Sequence, residues 1–198
     1  MTPVFATTGA TGVVGGGVAR GLAAAGIEQR LIVRSPDRTP ALPGAEFAQA
    51  SYGDTDRALR ALRGIDTVFM VSGAEDPERL ADHLAFVDAA AAAGVRRIVY
   101  TSFVDAGPAS TFLLARDHWH TEQHIRSTGM AFTFLRDNLY ADLLTEFAGP
   151  DRVLRGPAAG SPRSPVPTSS TWRWSHCGPP PRWPRPRIGP STTTRRTR

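Results

Sequence analysis

Apolar runs of strand length alternate with stretches of helical spacing from residue 3 to about residue 147. Val4-Phe5-Ala6-Thr7 has the uncharged character of a buried strand, and the Ala/Leu-rich segment Val14 to Ala25 predicts the helix behind it. Arg30-Leu31-Ile32-Val33 is a second strand, stopped by Arg34-Ser35-Pro36 because proline cannot donate to a ladder. Ala45-Glu46-Phe47-Ala48 is a third. Asp54 is placed to cap a helix starting near Thr55, with Leu59 and Leu62 on its buried face. Thr67-Val68-Phe69-Met70-Val71 carries no charge, as parallel strands buried on both faces do. Pro77 opens the next helix at its first turn, Leu80, Leu84 and Val87 follow at helical spacing, and Gly94 closes it. Arg97 to Thr101 and Ala131 to Leu135 are the fifth and sixth strands. A helix from about Leu113 to Ser127, ended by Gly129, separates them.

Six strands joined by helices predict an α/β fold: a doubly wound parallel sheet of Rossmann type, helices on both faces, the first strand near the centre. Ligands of such sheets bind at the carboxyl ends of strands, which nominates Gly9–Val14, Arg34, Ser72-Gly73, Thr101-Ser102 and Arg136–Asn138. The first group is the most informative. Thr8-Gly9-Ala10-Thr11-Gly12-Val13-Val14-Gly15 lies between strand and helix, the context that separates a dinucleotide pyrophosphate site from a plain glycine-rich turn. Gly9 permits the tight turn, Gly12 the approach of backbone to phosphate, and Gly15 the packing of helix on strand. The helix N-terminus adds free N–H groups and partial positive charge.

After the second strand, an acid would bind a ribose 2′-hydroxyl and an arginine a 2′-phosphate. Arg34, with Ser35 and Arg38 close by, favours NADP, whereas Asp37 in the following loop leaves NAD open. Ser72 and Gly73 are small enough to leave room for the nicotinamide ribose. The hydroxyl of Ser102 is placed either to face a nicotinamide ring or substrate carbonyl, or merely to satisfy backbone groups.

Composition then divides the chain. Residues 1–150 hold 13 Arg and 17 acids, whereas the last 48 residues hold 10 Arg and the single acid Asp151. The overall net charge of +5 therefore belongs to the end of the chain, as do Cys177 and most of the prolines. No apolar run is long enough to span a bilayer, the start has no basic segment followed by an apolar core, and one cysteine cannot form an internal disulfide. A cytoplasmic protein without a membrane or specific nucleic-acid partner is expected. Residues 157–198, rich in Pro and Arg, read either as a disordered basic arm or as a frame-shifted end. The second is favoured. The chain has no lysine, which suggests a GC-rich gene, and a one-base shift of GC-rich codons for Pro165–Cys177 can yield R-A-D-V-V-D-V-A-V-V-A-L-R, a peptide of helical apolar spacing.

Gly9-Ala10-Thr11-Gly12, the Leu31–Arg34 strand end, Ser51-Tyr52-Gly53-Asp54 and Ala93-Gly94-Val95 before Tyr100-Thr101-Ser102 fit one pattern. His118-Trp119-His120-Thr121-Glu122 and Phe132 to Asn138 continue it. Over roughly residues 3–156 the chain resembles the NmrA-like atypical short-chain dehydrogenase/reductases, in particular the type 2 NAD(P)H:quinone oxidoreductases. The resemblance implies a dinucleotide-binding domain over residues 1–156, followed in the family by a further strand and a substrate lobe that this chain lacks. Such a loss would expose an apolar sheet edge and open the pocket. It implies that Gly9, Thr11, Gly12, Val13 and Val14 hold the pyrophosphate, that Arg34 meets the adenosine phosphate and that Asp54 lies near the adenine. Ser72 and Gly73 would border the nicotinamide, with Asn138 and Tyr140 near the quinone pocket.

Ordinary dehydrogenases of this superfamily use a Tyr and a Lys four residues apart. The matching helix here offers His118 and Glu122, and a carboxylate raises a tyrosine pKa rather than lowering it. Reduction of a quinone-like or small carbonyl acceptor by NADPH is therefore expected, with His118 as the proton source because imidazole titrates near neutrality. Two alternatives stand beside it: a non-catalytic NADP(H)-sensing regulator of NmrA type, and an inactive truncated product. A homodimer is left open. No metal site is expected, since His120 and His124 lack the glutamate that HExxH requires. For the end of the chain, the gene's nucleotide sequence is the measurement: an out-of-frame helix codon pattern is expected, and an intact frame with unrelated codons would refute the shift.

Overall fold

The computed structural model describes residues 4–138. Tyr140 and the expected basic or frame-shifted end lie outside the described residues. Six strands form one sheet: β1 (Phe5–Thr8), β2 (Gln29–Val33), β3 (Ala45–Gln49), β4 (Thr67–Met70), β5 (Arg97–Phe103) and β6 (Ala131–Asp137). Among the described residues, four α-helices connect them, α1 (Val13–Ala24), α2 (Thr55–Leu62), α3 (Arg79–Ala92) and α4 (Leu113–Ser127), with a 3-10 turn at Pro36–Arg38. All pairings are parallel and the order is β3-β2-β1-β4-β5-β6, so the chain reverses its direction of growth between β1 and β4. The doubly wound sheet expected from the sequence is the fold observed, and its switch point falls where the glycine turn emerges.

The two faces are unequal. Ala6, Ile32, Val68, Met70, Ile98 and Tyr100 point to one side, where Leu62, Phe86, Val87, Ala90 and Ile125 of α2, α3 and α4 cover them. Leu31 and Val33 point to the other, against Ala19 of α1. On that thinner face Gln29 is wholly buried, accepting from the Thr7 hydroxyl at 3.1 Å and donating to the Ala19 carbonyl at 2.6 Å. These bonds meet the requirement that a buried amide be paired.

Local signals place most boundaries within a residue or two. Asp54 caps α2 by accepting from the Arg57 N–H at 3.0 Å. Gly94 and Gly129, both with positive φ, follow the ends of α3 and α4. One expectation is corrected. Of Leu80, Leu84 and Val87 only Val87 is fully buried, and the stripe of α3 continues through Arg79, His83 and Phe86, because the helix meets polar groups beneath the strand ends. The third strand is an edge, and Phe47 on it is exposed. At the opposite edge among the described residues, Phe132 and Leu135 of β6 are partly exposed.

Gly15 shows how tightly α1 is seated. A Cβ there would overlap the backbone carbonyl oxygens of Thr8, the last residue of β1, and of Gly9 in the turn that follows, neither of which can swing aside. One on Gly17 would meet nothing within 4 Å. Gly15→Ala is expected to destabilise by ~1–3 kcal/mol through overpacking. Gly17→Ala is expected to stabilise by ~0.5–1 kcal/mol through helix propensity. Urea unfolding of the pair measures the difference, and equal effects at both positions would remove the packing argument.

Candidate active site

The carboxyl ends of β1, β2 and β4 open into a cavity of about 360 Å³. It runs from Arg34, Ser35 and Arg38 past Thr8–Thr11 to Ser72, Gly73 and the turn that follows. Gly9 makes the turn out of β1 with φ 63°, and Gly12 is the N-cap of α1 with no side chain bonded across the helix end. The first turn of α1 has no acid, so its N–H groups and partial charge are directed outward unopposed. A Cβ on Gly12 would sit 3.4 Å from the Gly9 carbonyl, an ordinary contact, so a side chain here would occupy the phosphate cradle without breaking the turn. The cradle thus fits a pyrophosphate. At the β2 end Arg34 and Arg38 are exposed cations beside Ser35, and Asp37 does not line the cavity. This end fits a 2′-phosphate rather than a bare ribose diol.

A closed set of hydrogen bonds fixes the floor. Tyr52 donates to the Val71 carbonyl at 2.5 Å, and Val71 N–H donates to Thr8 Oγ1 at 2.9 Å. The Thr8 hydroxyl then donates to Tyr52 Oη at 2.6 Å. Three strand ends are joined in this way, and burial pushes the Tyr52 phenol further above its usual range. Neither Thr8 nor Tyr52 was a site candidate from sequence, because their role depends on β1, β3 and β4 being neighbours.

Behind Ser72 and Gly73 lies a buried polar group centred on Arg79, which is 4 % exposed. Its Nε donates to the Gly73 carbonyl at 3.0 Å, Nη1 pairs with Asp117 at 3.1 Å, and Nη2 lies 2.9 Å from His118 Nε2. A guanidinium only donates, so His118 Nε2 accepts and its proton resides on Nδ1, 2.9 Å from Tyr100 Oη. His83 is fixed by the same logic. Gly73 N–H donates to its Nε2 at 2.8 Å, leaving Nδ1–H for Thr121 Oγ1 at 3.2 Å. Burial, then the Arg79 charge, holds His118 down to about 4 and His83 to about 3.

The structure thus places His118 away from the cavity, not where the sequence suggested a proton source. It is a neutral, buried acceptor and does not line the cavity. Ser102 is corrected likewise: wholly buried, it donates to Glu122 at 2.6 Å, away from the cavity. Arg136 completes that group with bonds of 2.8 and 2.6 Å to the two Glu122 oxygens. Burial raises the Glu122 pKa, but the Arg136 and Ser102 bonds outweigh it and hold the carboxyl below its ordinary value. Thr101, on the other side of the strand, accepts from Ser72 N–H at 2.7 Å and supports the strand end. Asp54 is engaged with Arg57 and lies beside a separate shallow depression. Asn138 ends β6. His124 pairs with Asp88 at 2.6 Å, and among the described residues no three His, Cys, Asp or Glu side chains could hold a metal ion.

Residues 9–153 match the family described as NAD(P)H-binding. The chain belongs to that family. Quinone oxidoreductase 2 of Escherichia coli is 35% identical over 143 residues, covering 70% of this chain and 50% of that protein. The solved structure of that NADPH-dependent enzyme with NADPH superposes with a TM-score of 0.66 at 33% identity, covering 73% of this chain and 52% of the other. A (4-alkanoyl-5-oxo-2,5-dihydrofuran-3-yl)methyl phosphate reductase of Streptomyces griseus is 42% identical over 136 residues, covering 67% and 46%. The negative transcriptional regulator NmrA, at 22% identity and a TM-score of 0.59 over 67% of this chain and 45% of its own, shares the fold. The chain spans about half the length of the curated relatives it matches.

The two histidines set an acid dependence. Both are protonated in the unfolded chain below about 6.5 but stay neutral in the fold until about 4 or lower. The unfolded state then binds more protons, so stability is full above pH 7 and falls as pH drops from 6.5 toward 4. With two protons the slope approaches about 2.7 kcal/mol per pH unit. His118→Gln, which keeps an acceptor for Arg79, is expected to halve it. Glu122 acts lower, its contribution falling away as pH drops below 4.5. Denaturant titrations from pH 7.5 to 4 test this; a flat profile would mean the histidines are not buried neutral.

Proposed function

We propose that this chain is the dinucleotide-binding part of an NADPH-dependent reductase acting on a quinone-like or other small carbonyl acceptor. The observation that carries it is the one cavity that runs from the turn Gly9–Thr11, which leads directly into the N-cap Gly12 of α1, to the cations Arg34 and Arg38. One end suits a pyrophosphate and the other a 2′-phosphate. Gly9, Thr11, Gly12, Val13 and Val14 would hold the former and Arg34 the latter, with Ser72 and Gly73 beside the nicotinamide. When bound, the dinucleotide supplies a hydride. The residues of this chain orient it: Arg79 and His83 lock both the carbonyl and the N–H of Gly73. The names of the relatives at 35% and 42% identity support a reductase. Asn138 and Tyr140 remain the substrate-side candidates, and a homodimer in the cytoplasm remains part of the proposal.

A second reading, an NADP(H) sensor without turnover, is favoured by one observation. Neither His118 nor Tyr100 lines the cavity, both being buried and bonded to each other beneath it. The readings separate on one preparation. Titration with NADPH and NADH is expected to favour NADPH, and Arg34→Ala to weaken NADPH alone by about tenfold to a hundredfold, the worth of a charge-assisted bond of about 1.5–3 kcal/mol. Gly12→Val is expected to abolish binding while the chain stays folded. NADPH oxidation by a soluble quinone supports the reductase, binding without oxidation the sensor, and absence of binding refutes both.

A further inference from the structure

Asp82 is a carboxylate on the cavity wall with no hydrogen bond or ion pair among the described residues. It projects from the first turn of α3 onto the Cα of Gly53, so closely that a Cβ at Gly53 would overlap its carboxyl. Glycine at 53 is thus what lets a strand-end loop of β3 lie against an acid from α3. Half-buried and facing the cavity, a carboxylate without a donor is costly unless water or a ligand supplies one.

The proposed reading of the cavity says which donor. The adenosine ribose carries the pyrophosphate on one carbon, the 2′-phosphate on a second and the base on a third. With Gly9–Thr11 taking the pyrophosphate and Arg34, Ser35 and Arg38 the phosphate, the arm left for the base is walled by Ala50, Ser51 and Asp82. Adenine presents one strong donor group there, its exocyclic amine, and an ionised carboxylate can only accept. Asp54, the acid expected near adenine from sequence, has one oxygen on the Arg57 N–H and the other 3.3 Å from the Arg57 side chain. We infer that Asp82, reaching across Gly53, is the adenine-reading residue of this chain, accepting from the base's exocyclic amine.

This inference rests on the dinucleotide-site reading, and a ligand change separates the two. Deamino-NADPH carries hypoxanthine, whose 6-oxo group accepts where adenine donates, and a site built for a donor rejects an acceptor. Equilibrium titration of the full 198-residue chain is expected to give deamino-NADPH a dissociation constant at least about tenfold above that of NADPH. Asp82→Asn, which offers either an acceptor or a donor with almost no change in shape, is expected to bring the two ligands within about threefold. Equal binding of both ligands by the unaltered chain overturns the inference and leaves the cavity reading standing. So does a ratio unchanged in Asp82→Asn, including the case where both ligands weaken together because Asp82 meets a ribose hydroxyl. Failure of both ligands to bind overturns the inference together with the cavity reading.

Discussion

The guanidinium of Arg79 sits in an interior that would not tolerate it unpaired, and the surrounding structure is arranged around its five N–H groups. Through Gly73, Asp117 and His118 it ties the end of β4 to the middle of α4, from a position on α3. A cation this buried is held only by the completeness of its partners, and removing one partner of a buried pair costs about 3–5 kcal/mol. Its presence also explains its neighbours. Two imidazoles beside a fixed cation are cheapest when neutral, and their tautomers follow from donors that cannot reverse. The polar layer beneath the strand ends is therefore rigid and directional, with its charge confined to the pairs Arg79–Asp117 and Arg136–Glu122.

That rigidity bears on the cavity above it. Gly73 is gripped at both its carbonyl and its N–H, and Ser72 N–H is held by Thr101. The Tyr52–Val71–Thr8 cycle performs the same task one strand over. The loops that would border a dinucleotide are thus fixed before any ligand arrives, which lowers the ordering cost of binding. The cradle itself needs no such network. It is backbone, shaped by the positive φ of Gly9 and by the space that a side chain at Gly15 would occupy.

The same arrangement separates binding from proton transfer. Hydroxyls and imidazoles that look chemical in the sequence are consumed in holding the sheet ends. Ser102 belongs to Glu122 and Arg136, His118 to Arg79 and Tyr100. In the proposed reading, binding would rest on backbone and on the cations at the end of β2, while these buried acids, bases and phenols bond to one another within the scaffold.

What the sequence determined was whatever depends on neighbours along the chain. Apolar runs and glycine stops located the six strands, the sheet class, the glycine cradle and the Arg34 end, because strand period, capping and turn geometry are local. Asp54 was legible as a cap for the same reason. Tertiary structure decided what depends on residues brought together from afar. Nothing in a window around His118 reveals that an arginine 39 positions away will hold its Nε2. Nor does a window around Asp82 show that its carboxyl lies against Gly53. A side chain's protonation and direction are set by the field and space of its spatial neighbours, and those exist only once the sheet is assembled.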